Sequence, residues 1–157
     1  MTQKIASFGG SADLLVLADD SLGTITRWDY RGRHHATGPS PSVAAGAQAG
    51  VGATASVVGD DTAGTVTITT GTAPAAGVLA TLTFAAPWVS TAPFVAALAK
   101  TAGGAVLQVY ASTTTTALTI SVGAVPTASV TYSFDYQAVG SVYTTQPPDL
   151  HIHPDTP

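Results

Sequence analysis

The residues best suited to chemistry in this sequence are two histidines near its C-terminus, His151 and His153, which are separated by Ile152. In an extended segment, side chains two positions apart project to the same side of the chain. If three copies of the chain brought these segments to a common axis, six imidazoles would meet there, and such a ligand set suits Fe, Ni or Zn. The flanking prolines, Pro147-Pro148 and Pro154, fit a solvated tail equally well. A metal at His151 and His153 therefore stays open, and we predict no metal site and no cofactor.

Other residues that could perform catalysis lie apart from one another in the sequence. A serine nucleophile needs an adjacent base, but all four histidines are in segments predicted to be peripheral: His34, His35, His151 and His153. There is no Gly-x-Ser-x-Gly elbow. A glycosidase needs two carboxylates across a cleft, whereas Asp19-Asp20 and Asp60-Asp61 lie in predicted turns, where aspartate accepts backbone hydrogen bonds. Asp135 alone lies within a predicted strand, and it points outward, so we predict that the protein is not an enzyme.

The charge content argues against nucleic-acid binding. Only 9% of the 157 residues are charged, against roughly 25% in an ordinary soluble protein. The formal net charge is −4 and there are 5 Lys and Arg residues, whereas nucleic-acid binding depends on many basic contacts to phosphate. There is no cysteine, which excludes disulfides and thiolate chemistry.

The apolar content favours an oligomer. Hydrophobic residues make up 45% of the chain, and the mean hydropathy is +0.32. We predict no signal peptide and no membrane insertion, because the most apolar window, residues 84–99, is interrupted by Pro87 and Pro93 and is shorter than a span of about 20 residues. Such a chain needs subunit interfaces to cover its apolar surface.

Six predicted strands follow one another at regular spacing after residue 64. Turn residues separate them, and they span residues 65–69, 78–84, 94–100, 105–112, 117–122 and 130–138. This rhythm predicts an all-β fold, an antiparallel, jelly-roll-like β-sandwich. Alternation places these side chains in the core: Val66, Ile68, Leu82, Phe84, Leu118, Ile120, Val122, Val130, Tyr132, Phe134, Tyr136 and Ala138. The strand 94–100 is apolar throughout, so we expect both of its faces to be covered; a short helix is the alternative.

The composition changes along the chain and predicts four segments. Residues 1–35 are an attachment segment with one β-hairpin, whose turn is Asp19–Gly23. Residues 36–58 are rich in Gly, Ala and Pro, and we interpret them as an extended linker that packs along a neighbouring chain. Residues 59–141 form the sandwich head, and residues 142–157 form an extended tail with Pro and His.

A few further residues could bind a ligand or a partner. Trp28, Tyr30 and Trp88 lie near turns or strand ends, where exposed aromatic rings stack on sugars. We expect Trp88 to close the core and Trp28 and Tyr30 to contact another subunit. The basic cluster of Arg27, Arg31 and Arg33 predicts a subunit contact or a solvated hairpin edge. Residues 50–55 imitate a dinucleotide fingerprint but lack the strand and helix that it needs.

Several runs of the sequence resemble the C-terminal head domains of bacteriophage tail fibres and small virion-surface proteins. They are DTAGTVT (61–67), TGTAP (70–74), AGVLATLTF (76–84), APW (86–88), APFV (92–95) and VTYSFDY (130–136). Upstream, ITRWDYRGRH (25–34) looks like the hairpin that often precedes such heads, and the Ala, Gly and Thr bias is similar to that of phages with actinobacterial hosts. The resemblance covers residues 59–140 and implies a homotrimer, a β-sandwich head and a non-enzymatic role.

The resemblance implies a structural protein on the virion surface that is made in the host cytoplasm. We expect a tail-tip or fibre head that contacts the host envelope, with a host cell-wall glycan as candidate receptor and the N-terminal segment attached to other virion proteins. The alternative is a capsid decoration (head-fibre) protein bound to the major capsid protein, which the short chain favours because tail fibres usually run longer. A polysaccharide-degrading enzyme is the third expectation, because some fibre-like phage proteins have that activity.

Overall fold

The computed structural model describes residues 4–6, 13–19, 23–29, 34–36, 38–88 and 91–140, with side chains from residue 38 onward. The strands are β1 (Lys4–Ala6), β2 (Asp13–Asp19), β3 (Gly23–Asp29), β4 (His34–Ala36), β5 (Ser42–Ala45), β6 (Thr54–Gly59), β7 (Ala63–Thr69), β8 (Gly77–Thr83), β9 (Phe94–Ala99), β10 (Val109–Thr113), β11 (Ala117–Val122) and β12 (Thr131–Val139). A 3-10 helix (Ala47–Ala49) and the one-turn helix α1 (Ala102–Ala105) interrupt them. None of the helices in these ranges has the length and apolar character needed to cross a membrane.

Strands β5 to β12 form two antiparallel four-stranded sheets that pack as a sandwich. One sheet has the order β10-β11-β8-β5 and the other has the order β6-β7-β12-β9. Eight strands in two sheets is also the strand count of a jelly roll, and the first and last strands, β5 and β12, lie here in different sheets. The predicted all-β antiparallel sandwich is confirmed.

Side chains from both sheets fill the space between them. The largest fully buried ones are Val66, Ile68, Leu79, Leu82, Leu118, Ile120, Val122 and Phe134. Threonine, serine and alanine occupy most of the alternate, outward positions, since a β-branched threonine fits the pleat while its hydroxyl stays hydrated. Every side chain that alternation placed in the core is buried or packs against the buried cluster.

One core residue departs from simple alternation. The pairing of β11 with β8 shifts between Ile120, which faces Ala80, and Ser121, which faces Val78, so Leu79 is an extra residue in β8. Such a β-bulge bends its strand and changes the direction of the side chains around it. Leu79 and Ala80 are consecutive and both buried, which a strict period of two does not allow.

The six predicted strands are present as β7 to β12, with one partial error. Residues 105–108 do not belong to a strand, because the chain first forms α1 and then turns through Gln108, whose φ is 55°. The Thr101 side chain accepts a hydrogen bond from the Gly104 amide at 3.3 Å and caps this short helix. Gly104 is buried in this turn, where an added Cβ would lie 3.2 Å from the Cβ of Ala99.

The interpretation of residues 36–58 as a linker is wrong for residues 42–58. β5 pairs with β8 and β6 pairs with β7, so this segment supplies an edge strand to each sheet of the sandwich. The inward side chains of these edge strands are partly buried and pack against the core: Val43, Ala45, Ala55 and Val57. The hydrogen bonds that order the segment are within the chain.

The expectation that both faces of strand 94–100 are covered is also wrong for the single chain. β9 is an edge strand that pairs only with β12. Its side chains alternate between exposed and half-buried, and Phe94 and Leu98 are each 70% exposed. The helical alternative for this segment is excluded by the six consecutive pairs that β9 makes with β12.

The N-terminal hairpin is present as β2 and β3, and β1 and β4 extend it to a four-stranded antiparallel sheet. Residues 141–157, including the whole of the predicted tail, lie outside the described residues.

Candidate binding surface at the distal end

The two ends of the sandwich differ in their connections to the rest of the chain. One end, which we name the attached end, is formed by residues 38–41, 60–62, 84–88, 91–93, 114–116 and 140. The chain enters the sandwich here, where a Cβ on Gly38 would lie 3.4 Å from the Cβ of Asp60. It leaves here as well, because Gly140 follows β12 and lies directly against the ring of Trp88.

The opposite end, which we name the distal end, consists of connections between strands. It contains residues 46–53, 70–76, 100–108 and 123–130. Main-chain hydrogen bonds tie these connections together: the amides of Gly71, Ala75 and Gly123 donate to the carbonyls of Ala49, Gln48 and Leu107 at 2.9, 2.9 and 3.0 Å. The distal end is therefore an ordered surface of loops on the side away from both chain connections.

A buried carboxylate organises the attached end. Asp61 follows the tip of the β6–β7 turn, and its Oδ1 and Oδ2 accept hydrogen bonds from the consecutive amides of Ala85 and Ala86 at 2.8 and 2.9 Å. Hydrogen bonds to an ionised group are stronger than those between neutral groups. Asp61 therefore joins the turn to the segment that follows β8, and both of its oxygens are occupied.

The neighbouring Asp60 closes the turn itself. Its Oδ1 accepts hydrogen bonds from the Thr62 and Ala63 amides at 2.7 and 3.0 Å. This is the local backbone bonding for which aspartate is favoured in turns. The prediction that Asp60 and Asp61 accept backbone hydrogen bonds is confirmed.

Tyr136 connects the last strand to the same turn. Its hydroxyl donates a hydrogen bond to the main-chain carbonyl of Asp60. Burial of the phenol, together with the negative charges of Asp60 and Asp61, raises the pKa of Tyr136 to about 12. A phenol held neutral in this way is a hydrogen-bond donor and does not act as a base at neutral pH.

Trp88 closes the core at the attached end, as predicted. Its ring meets Phe84 edge to face, with centroids 6.0 Å apart and an interplanar angle of 75°. The Trp88 amide donates to the Thr115 carbonyl at 2.8 Å. Its indole Nε1 is buried and has no hydrogen-bond partner among the described residues. The ring is partly buried and packs against the core cluster.

The polar groups of the attached end are thus committed to holding the fold. Asp60, Asp61 and Tyr136 each bond to backbone groups. Within the described ranges there is no group of three or more His, Cys, Asp or Glu side chains that could hold a metal ion.

The distal end exposes aliphatic side chains. Val51, Val106 and Val125 are 81%, 72% and 65% exposed, and they come from three separate loops. Single exposed apolar residues are normal on a protein surface, but here three occur at one end of a small sandwich. They make part of this end apolar. Threonine and glutamine side chains in the same loops add groups that can form hydrogen bonds.

The backbone at the distal end is also unusual. The three described non-glycine residues with positive φ are Ala73, Gln108 and Ser129, at 53°, 55° and 58°, and all belong to distal loops. This conformation is uncommon for residues other than glycine, and backbone strain of this kind concentrates at functional sites. The tight main-chain bonding of the loops holds these residues in place.

Charge is nearly absent from the sandwich. Residues 38–140 contain four charged side chains, namely Asp60, Asp61, Lys100 and Asp135. Lys100 Nζ and Asp135 Oδ1 are paired at 3.2 Å, and the Thr65 hydroxyl donates to the same Asp135 oxygen at 2.5 Å. These two neighbours, Thr65 and then Lys100, hold the pKa of Asp135 below its usual value. The distal loops therefore have one charged residue, Lys100, at their margin, and it is already paired.

The remaining predicted site residues are placed only in part. Asp135 lies on the outer face of its sheet, as predicted, and its side chain is half exposed. His34 and His35 belong to β4, and Arg27 and Trp28 belong to β3. Tyr30, Arg31, Arg33, His151 and His153 lie outside the described residues, so the axial histidine hypothesis stays a prediction.

Sequence reasoning did not single out the distal valines. Val51 and Val125 stand next to Gly or Pro in segments predicted to be linker or turn, whereas Val106 falls within the predicted strand 105–112, the part of it that the structure does not form. An apolar residue inside such a segment is the one signal that marks Val51 and Val125.

Comparisons of this chain with protein-family models, curated proteins and solved structures found no match.

Proposed function

We propose that this protein is a non-enzymatic structural protein on the surface of a bacteriophage virion, a homotrimer whose sandwich is a tail-tip or fibre head that contacts the host envelope. The resemblance of residues 59–140 to phage fibre heads supports the phage assignment. The distal end is the surface that would meet the host. The location is the outside of the assembled particle.

The observation that carries the proposal is that both chain connections of the sandwich lie at one end, whereas the other end consists of loops. The chain enters at Gly38 and leaves after Gly140, both at the attached end. The end away from these connections presents Val51, Val106 and Val125 on ordered loops. A head that is anchored at one side and exposes loops at the other is the arrangement that a receptor-contacting tip requires, since binding residues are commonly carried on loops held by a rigid scaffold.

The N-terminal segment suits attachment to other virion proteins. Residues 1–37 contain eight of the chain's fourteen charged side chains, whereas residues 38–140 contain four. Charged groups give an interface specificity and steer association. The segment also forms its own sheet, β1 to β4, whose strands make no ladder with either sheet of the sandwich.

The separate, charge-rich N-terminal sheet also favours a second candidate function, capsid decoration. In that case the N-terminal sheet would bind the major capsid protein, and the nearly uncharged sandwich would project from the shell. The two candidates differ in where the protein sits on the particle and in whether the distal end binds a host.

Gold-antibody labelling of intact virions tests the proposal directly. We expect electron microscopy to show label at the tail tip. Label over the capsid would replace the first candidate with the second, and virions of the encoding phage without label would overturn both. Virions of a phage mutant that lacks the gene for this protein, imaged with the same antibody, provide the control for the specificity of labelling.

Host binding by the purified protein separates the two candidates further. We expect the protein to sediment with host cells and the triple variant Val51→Ser, Val106→Ser, Val125→Ser to lose at least about tenfold in affinity, which corresponds to about 1.4 kcal/mol. Val58→Ser is the matched control, because Val58 is 78% exposed on β6 rather than on a distal loop. Unchanged binding by the triple variant would rule out the distal end as the contact surface.

A further inference from the structure

Strand β9 is apolar on its outer face as well as on its inner face, which is the composition expected of a strand whose outer face packs against other protein. Its sequence is FVAALA, with no charged or polar side chain. It pairs with β12 on one side only, in an unbroken register from Phe94 opposite Val139 to Ala99 opposite Phe134. Its outward residues, Phe94, Ala96 and Leu98, are all exposed.

The apolar surface continues onto the neighbouring strand. Val139 stands directly opposite Phe94 in the β9–β12 ladder and is 55% exposed on the same face. Directly opposed residues in an antiparallel pair place their side chains side by side. We name this surface, made of Phe94, Ala96, Leu98 and Val139, the β9 strip.

Exposed edge strands normally carry features that prevent pairing with other chains. These features are charged residues, prolines, bulges or very short strands. β9 contains none of them over its six residues, although Pro93 and Lys100 flank it. The other edge of the same sheet, β6, presents Thr54 and Ser56 beside a single large apolar side chain, Val58. The two edges of one sheet therefore differ in apolar character.

We propose that the β9 strip is the contact between copies of this chain, around the axis of the homotrimer. This inference rests on the proposed function for the number of copies, which is three. What it adds is the surface through which those copies contact one another. The occupant of the strip is the same strip of neighbouring chains.

Charge favours another copy of the chain over a charged partner. Leu98 stands opposite Asp135 in the ladder, and Asp135 is already paired with Lys100 at 3.2 Å. The strip and its border are therefore close to neutral. Two such surfaces meet without opposing like charges, whereas a nucleic acid or an acidic glycan would find no unpaired cation at this border.

The size of the strip fits the centre of an interface. Its four side chains expose about 300 Å² of apolar area, taking ordinary side-chain areas, and a stable interface buries about 800 Å² on each partner. Interfaces combine an apolar centre with a polar rim. The outward hydroxyls next to the strip, on β12 and β7, provide such a rim: Thr65, Thr67, Thr69, Thr131 and Ser133.

The native mass of the full chain and of one double variant tests the inference. We expect light scattering at micromolar concentration to give three times the 15.6 kDa chain mass for the natural protein. Phe94→Ser with Leu98→Ser should give the mass of one chain and an unchanged far-ultraviolet circular dichroism spectrum. Val58→Ser, with an equally exposed side chain on the opposite edge, should keep the trimer.

The outcomes separate this inference from the proposed function. A trimer that survives the double variant would overturn the β9 strip and leave the homotrimer standing. A monomeric natural protein would overturn both the strip and the homotrimer. A natural dimer that the double variant dissociates would support the strip and overturn the three-fold arrangement.

Cross-linking provides a readout that does not depend on a disruptive variant. The chain has no cysteine, so Leu98→Cys introduces a single thiol in the strip. We expect a short bismaleimide to join Cys-bearing chains of this variant, and Val58→Cys to give at most one-tenth of that product. Equal cross-linking of the two variants would overturn the assignment even if the double serine variant failed to fold.

Discussion

The hydroxyl of Tyr136 donates a hydrogen bond to the main-chain carbonyl of Asp60, 76 residues earlier in the chain. The bond joins the last strand of the sandwich to the turn between β6 and β7. That turn also binds, through Asp61, the segment after β8. Three distant parts of the chain are thus held together at the end where the sandwich is connected to the rest of the protein.

We expect Tyr136→Phe to lower the free energy of unfolding by about 1 kcal/mol, because the Asp60 carbonyl loses its donor while the ring still packs. Urea denaturation followed by circular dichroism measures this change. Tyr110→Phe is the matched control, since Tyr110 is 55% exposed on β10, and it should change the free energy little. An equal loss in both variants would show that the bond to Asp60 contributes nothing specific.

Alkaline pH should weaken the same connection. The pKa of Tyr136 is about 12 in the folded protein and about 10 in an unfolded chain, so the folded state holds its proton more tightly. The stabilisation is complete below about pH 10 and is lost as the pH rises through 12. We expect the stability difference between the natural protein and Tyr136→Phe to shrink between pH 9 and about pH 12. A constant difference across this range would contradict the raised pKa.

Thr70 and Thr69 offer a matched pair of threonines. The Thr70 hydroxyl is buried, donates to the Thr127 carbonyl at 2.7 Å and accepts from the Val130 amide at 3.0 Å. Thr70→Val should therefore cost about 1–3 kcal/mol, since both groups lose their partner in the interior. Thr69→Val, which removes an exposed hydroxyl contact with Thr131 at 2.8 Å, should stay within about 0.5 kcal/mol. Thermal unfolding of the two variants, compared at one pH, checks the contrast.

Asp61 should be the aspartate on which stability depends most. Asp61→Asn keeps the shape of the side chain but turns an N–H group towards one of the two amides that the carboxylate binds, and we expect a loss of about 2–3 kcal/mol. Asp135→Asn breaks an exposed ion pair and should have little effect, because solvent screens such pairs. Denaturant midpoints measure both. If Asp135→Asn proved the more harmful variant, the structural role assigned to Asp61 would be wrong.

The central strands could be predicted from the sequence because their burial is strictly periodic. In β7 and β12 the inward residues from Val66 to Ile68 and from Tyr132 to Ala138 are apolar or aromatic, and the residues between them are polar, so the pattern specifies both the strand and its inward face. β11 follows the same rule, and its predicted bounds, 117–122, are those observed. Leu79 lies in a bulge whose position depends on the pairing of β8 with β11, and no local pattern contains that information.

The two missed strands show what periodicity cannot detect. β5 and β6 consist of Ala, Ser, Thr, Val and Gly. The difference in hydrophobicity between their inward and outward residues is too small to predict a strand. A linker and an edge strand have the same composition here. Only pairing with β7 and β8, which alternation cannot predict, makes residues 42–59 part of the sandwich.

The candidate surfaces were predicted least well. β9 was recognised as an unusually apolar strand, but its position at the edge of a sheet follows from the order of strands in the whole sandwich. The distal valines lie on three loops that share one end of the sandwich although they are separated by up to about 70 residues in the sequence. Long-range topology decides both surfaces, and a single sequence carries little of it.

The entry and exit of the sandwich at one end have a consequence for how such a protein can evolve. A unit joined to its surroundings at a single side can be exchanged as a cassette, because recombination at residues near 38 and 140 replaces the whole of it without breaking any of its strands. The N-terminal sheet, β1 to β4, would stay unchanged while the exchanged unit brought a new set of distal loops. If the distal end selects the host, a change of host range requires only this one exchange.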